Sequence, residues 1–527
     1  MRVSTRIGGH LVVESLTALG AEAVFGLPGI HALPVWDALR TSPLRTYGFR
    51  TELNAGFAAC GWAHVTGSPS PLVVSTGPGA LNSLAAVMEA ASSHLPVVAI
   101  ASQIPSDLVG KNRGFLHELP DQSASFRPIV KSVSRALDAR QIPGLIAAAY
   151  HDAIAPPSGP TYVEIPVDLL SGATSIPVPS RLDAEAPAPQ PPSQSVLAEV
   201  AGLLSTLPDP VILAGGGVIR SAAWNEVVEV AEILDAPVAM TYMGKGSIPA
   251  DHPLSAGSAC DDAAYMDLLG RAGVVLCVGT QLGAEATAQY RLRFAGRLVQ
   301  IDAESSRIGV SYPALPLVGD ARLTLRALVP LLKKRSGNGA TRARTARALP
   351  HAQEIDLLRA IRAALPRDAI TAWDMTILGY LAAAHFPVPA PRTFLYPLGS
   401  GTLGFALPGA LGAKAATPDR TVLAVVGDGG FMYGLSELMT ARQNHLAVKL
   451  LLVDDGGYGI LREYQTRSFE KTHGVDLIQP DFEALIASCG WPVRTTARAR
   501  LESDLMWALG VDGPAALVLH ERLVYAA

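Results

Sequence analysis

The chain has 527 residues, 49% hydrophobic and 17% charged, with a formal net charge of −4. One core stops growing at roughly 250–300 residues, so roughly two to four domains are expected; the balance excludes a disordered chain and gives no reason to expect nucleic acid or an acidic membrane surface as a partner. No segment approaches the ~20 apolar residues that span a bilayer, and the N-terminal stretch lacks the apolar run of a signal peptide, so the expected location is cytoplasmic.

Short apolar runs, each followed by a helical pattern, recur along the chain. The first third has LVVSTGP from Leu72, PVVAIAS from Pro96 and TYVEIPV from Thr161. After a Pro- and Ala-rich stretch at 177–195 come PVILAGGG from Pro210, PVAMTYM from Pro237, VVLCVGT from Val274 and RLVQIDA from Arg297. A second stretch without apolar periodicity, basic and Gly-containing, covers 333–353. It precedes AITAWDM from Ala369, TVLAVVGDGG from Thr421, KLLLVDD from Lys449 and AALVLH from Ala515. Continuous apolar strands suit a sheet covered on both faces, and alternation with helices implies parallel sheets. The expected fold class is α/β, with three consecutive doubly wound parallel-sheet domains at 1–176, 196–332 and 354–527, joined by the two linker-like stretches. Cys60, Cys260, Cys277 and Cys489 show no CxxC spacing and read as buried thiols.

The sharpest chemical signal lies in the last third. One strand ends at Gly427, Asp428, Gly429 and Gly430. Such glycines let backbone N–H groups approach phosphate oxygens, and the helix start adds partial positive charge. Asp428 offers a hard oxygen to a small cation. The next strand ends in Asp454, Asp455, Gly456, Gly457, Tyr458 and Gly459, placing Asp455 27 residues after Asp428. That spacing is one strand–helix–strand unit. It puts both carboxylates at the C-terminal edge of adjacent parallel strands, where open α/β sheets bind ligands. For GDGG taken alone, an Asp-capped turn is the plainer alternative.

GDGG with an acid or amide 27 residues on resembles the signature of thiamine-diphosphate enzymes of the acetolactate synthase, pyruvate decarboxylase and benzoylformate decarboxylase superfamily. The resemblance implies that Asp428, the Asp455 side chain and the Gly457 carbonyl hold Mg²⁺, which clamps the diphosphate, and that Tyr458, Gly459 and Ile460 continue the cofactor site. The family usually has Asn where this chain has Asp455. TELNAGFAACGWA from Thr51 resembles the family's HEQxAxxAADGYAR, and Glu52 falls on the glutamate that bonds the aminopyrimidine and activates the cofactor; the flanking His and Gln are absent. VFGLPG (Val24–Gly29), STGPGALN (Ser75–Asn82) and SGTLGFALPGALGAK (Ser400–Lys414) resemble further family segments. They add Gly29, Asn82, Ser400, Gly401 and Leu403, the last either an apolar wedge under the cofactor or plain core. Ile30, His31, Gln103 and His117 are expected to face substrate, with His31 and His117 as candidate proton carriers or, alternatively, solvated loop residues. Arg113 reads as a surface charge. The segment around His117, LHELPDQ, also resembles 5-guanidino-2-oxopentanoate decarboxylase-like proteins. In this superfamily the glutamate and the diphosphate site meet across a subunit interface, which implies a homodimer or homotetramer.

GGGVIRS, MGKGSIPADHP and QIDAESSRIG resemble the FAD-carrying middle domain of acetolactate synthases. The expected FDDRVTG-like segment is missing, however, and the chain reads GTQLGAEATAQYR (Gly279–Arg291), so FAD is not expected. The expected function is thiamine-diphosphate-dependent decarboxylation of a 2-oxo acid, with or without transfer of the carbanion to a second carbonyl. An acetolactate synthase-type carboligase is the alternative. A flavin-dependent 2-oxo acid oxidase and a non-catalytic homologue fit the residues less well.

Overall fold

Apolar runs without alternation become strands buried on both faces. Ser70–Val74, Val97–Gln103, Thr161–Pro166 and Val274–Val278 are buried along their whole length. In the computed structural model, which describes residues 6–182, 191–347 and 353–525, every apolar run singled out above forms a strand. The middle of the 177–195 stretch lies outside the described residues.

Three sheets follow one another, and their strand pairings are parallel throughout. The N-terminal sheet has the order Arg45–Gly48, Ala23–Gly26, Ser70–Val74, Val97–Gln103, Thr161–Pro166, Val133–Arg135. The C-terminal sheet runs Phe394–Leu395, Ile370–Trp373, Val422–Gly427, Lys449–Asp454, Ala515–His520, Val493–Thr496. Counted within its own sheet, each has the order second, first, third, fourth, sixth, fifth, so the two domains are topological twins. The central sheet is five-stranded: Leu315–Val318, Arg297–Asp302, Val274–Val278, Val211–Ala214, Val238–Met240.

The twins share one core. Helices Glu52–Thr66 and Ala406–Ala416, each following the second strand of its own sheet, cross with their backbones nearly touching. A Cβ on Gly61 would lie 2.0 Å from the Gly409 carbonyl oxygen, and one on Gly412 only 1.8 Å from that of Ala58. Phe57 and Phe405 meet beside this crossing with ring centroids 5.6 Å apart. One cluster of buried apolar residues therefore runs from the N-terminal sheet to the C-terminal one.

The 333–353 stretch is not a bare linker, and the central-domain boundary at 332 is corrected. Gly339–Ala346 is a helix whose Ala343 and Ala346 are buried with Tyr265 and Leu269 of the central domain. Its apolar stripe is made only of small residues. Arginines between them, such as Arg342 on the Asp209 and Pro210 carbonyls, hide the period in the sequence.

Candidate active site

A pocket of about 200 Å³ opens at the C-terminal edge of strands Val422–Gly427 and Lys449–Asp454. Gly401, Leu403, Gly427, Asp428, Gly429, Gly430, Asp455, Gly457, Tyr458, Gly459 and Ile460 all line it. The glycines leave no room for side chains. A Cβ on Gly430 would lie 2.3 Å from Asp374 Oδ2, one on Gly429 2.6 Å from the Tyr458 ring, and one on Gly459 1.9 Å from Asp455 Oδ2. Gly457 has φ 145°, a conformation that glycine adopts freely.

Burial dominates the electrostatics of the two carboxyls. Burial, then the charge of Asp455, pushes the Asp428 carboxyl up to about 7. Burial pushes Asp455 up to about 6 against the pull of Arg462. Asp428 accepts from its neighbour Gly429 N–H at 2.8 Å and from the Gln479 amide. Asp455 Oδ1 is buried with no hydrogen-bond partner. A buried anionic oxygen without a partner is costly, and a small hard cation between the carboxylates would remove that cost. Among the described residues no group of three His, Cys, Asp or Glu side chains could hold a metal alone.

A second group of residues gathers in the N-terminal domain. Thr51 caps the helix that begins at Glu52, accepting from Asn54 N–H at 3.2 Å. Glu52 accepts from Asn82 Nδ2 at 3.3 Å, and a Cβ on Gly79 would lie 3.1 Å from its Oε1. Gly29 packs on Ser75, where a Cβ would meet that side chain at 2.4 Å. The His31 and His117 rings lie edge to face, centroids 5.3 Å apart, and neither Nδ1 has a partner. Burial, then the charge of His117, lowers the His31 pKa. None of these residues lines the C-terminal pocket.

Other candidates are placed differently. Ile30 is 63% exposed. Gln103 is buried, its oxygen held by Ile104 N–H at 2.8 Å. Ser400 lies outside the pocket: its N–H and hydroxyl both bond buried Glu89 of the N-terminal domain, at 2.8 and 2.6 Å. Glu118 beside His117 turns back to accept from Gly114 and Phe115 N–H and folds its own loop. Arg113 is exposed.

Three residues escaped sequence reasoning. Asp374 is fully buried behind the glycine cradle, accepts from Gly404 N–H, and is pushed up to about 6 by burial. It ends strand Ile370–Trp373, an edge position that could have marked it. Met375, next to it, lines the pocket with Leu403. Gln122 accepts from Gly77 N–H at 2.7 Å and so shapes the turn beside Glu52; no local signal points to it.

A glycine cradle and paired carboxylates at one sheet edge, with a glutamate at the first residue of a Thr51-capped helix in a twin domain, define an α/β enzyme of the phosphorylated-cofactor class. Residues 6–125, 197–328 and 374–519 match the models described as thiamine pyrophosphate enzyme N-terminal TPP binding domain, central domain and C-terminal TPP binding domain. The chain belongs to the thiamine pyrophosphate enzyme family. It is 35% identical to the probable 2-ketoarginine decarboxylase AruI of Pseudomonas aeruginosa, over 97% of this chain and 93% of that protein. It is 30% identical to the acetolactate synthase large subunit of Corynebacterium glutamicum, over 92% of this chain and 81% of that protein. It is 31% identical to a probable acetolactate synthase large subunit of Methanocaldococcus jannaschii, over 92% and 86%.

Proposed function

We propose that the chain is a 2-oxo acid decarboxylase that uses thiamine diphosphate and Mg²⁺, without FAD, and acts on a long 2-oxo acid of the 5-guanidino-2-oxopentanoate kind. The carrying observation is the 35% identity to a probable 2-ketoarginine decarboxylase across 97% of the chain. When bound, thiamine diphosphate supplies an electron sink for the pair left behind as CO₂ departs. The chain's own residues do the rest. Asp428, Asp455 and the Gly457 carbonyl hold Mg²⁺, a role supported by the partnerless Asp455 oxygen. Backbone N–H groups of the glycine cradle hold the diphosphate, and Leu403 and Met375 shape the floor. The Glu52 carboxylate holds the proton that activates the cofactor, and His31 and His117 exchange protons with substrate through their free nitrogens.

Glu52 is not among the residues that line the C-terminal pocket of its own chain, an observation that supports completion of each site by a second subunit. The assembly proposed is a homodimer or homotetramer. No helix among the described residues is long and apolar enough to cross a membrane. We keep the cytoplasmic reading as part of the proposal.

The 30–31% identity to acetolactate synthases is the observation behind a second reading, carboligation. Incubation with a panel of 2-oxo acids, with and without aldehyde acceptors, separates the two. Release of CO₂ with an aldehyde product supports the decarboxylase. Coupled hydroxyketone or acetohydroxy acid as the main product overturns it.

A further inference from the structure

A second cavity, of about 460 Å³ against about 200 Å³ for the cofactor pocket, lies where the central domain meets the C-terminal one. Small-molecule sites occupy roughly 300–1,000 Å³ and favour such domain boundaries. The helix Ile377–His385 stands between the two spaces. Ile377 and Leu378 line the cofactor pocket, whereas Ala384 and His385 line the cavity. From Leu378 to Ala384 the helix rises about 9 Å, and the two spaces share no lining residue.

The cavity wall is mostly apolar, with Met240, Ala256, Phe386 and Val388 in it, yet it also holds two cations, Lys245 and Arg347. Lys245 is 6% exposed. Its ammonium donates to Ser258 Oγ at 2.9 Å and to the Ala383 carbonyl at 3.1 Å, which leaves one of three N–H donors without an acceptor. Arg347 donates only to backbone carbonyls, those of Ala250 at 2.9 Å and His252 at 3.4 Å. Neither cation has a carboxylate partner among the described residues. The one acid in the wall, Asp251, is taken by two bonds from Arg367, at 2.7 and 3.0 Å. His385 adds no charge at pH 7, because burial, then the charge of Lys245, lowers it to about 4.

A buried cation without an anion is costly. An inorganic anion would pair the ammonium and leave the apolar wall unfilled. A neutral apolar molecule would fill the wall and leave the ammonium unpaired. We propose that this cavity binds a small organic carboxylate, its charge on Lys245 with Arg347 as the second cation of the wall, and its apolar body against Phe386 and Val388. The site is separate from the thiamine diphosphate pocket and stands whichever 2-oxo acid reaction the enzyme performs.

The probes are 3-phenylpropanoate, its neutral amide and inorganic phosphate, titrated calorimetrically into the wild-type holoenzyme and into cofactor-loaded Lys245→Met and Arg347→Gln. The wild type should bind the carboxylate about tenfold or more tighter than the amide or phosphate. Lys245→Met should weaken the carboxylate about tenfold or more while the amide stays within about threefold, and Arg347→Gln should weaken it less. No binding of the carboxylate by the wild type, or amide or phosphate bound as tightly, overturns the proposal without recourse to any variant. Undiminished carboxylate binding in a folded Lys245→Met overturns it as well, because the carboxylate would then sit elsewhere, the active site included.

Discussion

Asp455 is the residue at which charge matters most. Two unit charges ~6 Å apart at an effective dielectric of ~20 interact by roughly 3 kcal/mol, so an extra carboxylate beside a diphosphate is expensive unless a cation lies between. Asp455→Asn keeps a ligating oxygen and removes that charge. Affinity for Mg²⁺ alone should fall, while the cofactor Kd at saturating Mg²⁺ should stay within about threefold or improve. A loss beyond tenfold in a folded variant would mean that Asp455 does more than ligate. Lys245 shows the opposite case, a cation buried without an anion. It is 6% exposed, bonds Ser258 Oγ and the Ala383 carbonyl, and burial lowers it from 10.5 to about 7. Between those values the unfolded chain binds more protons than the folded one, so stability rises with pH across the window and the penalty is constant below it. The full span is on the order of 5 kcal/mol. Lys245→Met should therefore melt at or above the wild type at pH 7, with the gap closing towards pH 10. Parallel melting curves across that range would show that burial does not lower the Lys245 pKa.

At the scale of elements, one hydroxyl starts the helix that carries Glu52. Thr51→Ala removes the cap and should cost about 1 kcal/mol. The loss in turnover should exceed what the lower melting temperature explains, because Glu52 is the first residue of the frayed turn. Unchanged turnover would detach the cap from the chemistry. Interior strands were legible because they are continuous apolar runs buried on both faces. The strands that left no mark are Arg45–Gly48, Val133–Arg135, Leu315–Val318, Phe394–Leu395 and Val493–Thr496, and all of them are sheet edges. Edge strands are short, and four of these are partly exposed, so they need not be apolar. The candidate site divides the same way. Glycine-rich turns announced Asp428 and Asp455, whereas Gln122 acts through a bond to Gly77, far off in the chain, which no local pattern encodes.

At the scale of the whole molecule, the carboxylate pair leaves the cofactor dependent on a cation. Dialysis against EDTA should release thiamine diphosphate and abolish turnover, and Mg²⁺ with cofactor should restore both. Full activity in exhaustively metal-free protein would refute the clamp. The crossing of the twin helices has a consequence of another kind. Gly61, Gly409 and Gly412 do not line the pocket, yet two of them have a carbonyl where a methyl would go, and Gly409 has the Phe405 ring at 3.0 Å. In a saturating screen that scores enzymatic activity alone, these positions should be intolerant like the site residues, and a map of inactivating alleles would draw a false active centre midway between the two domains.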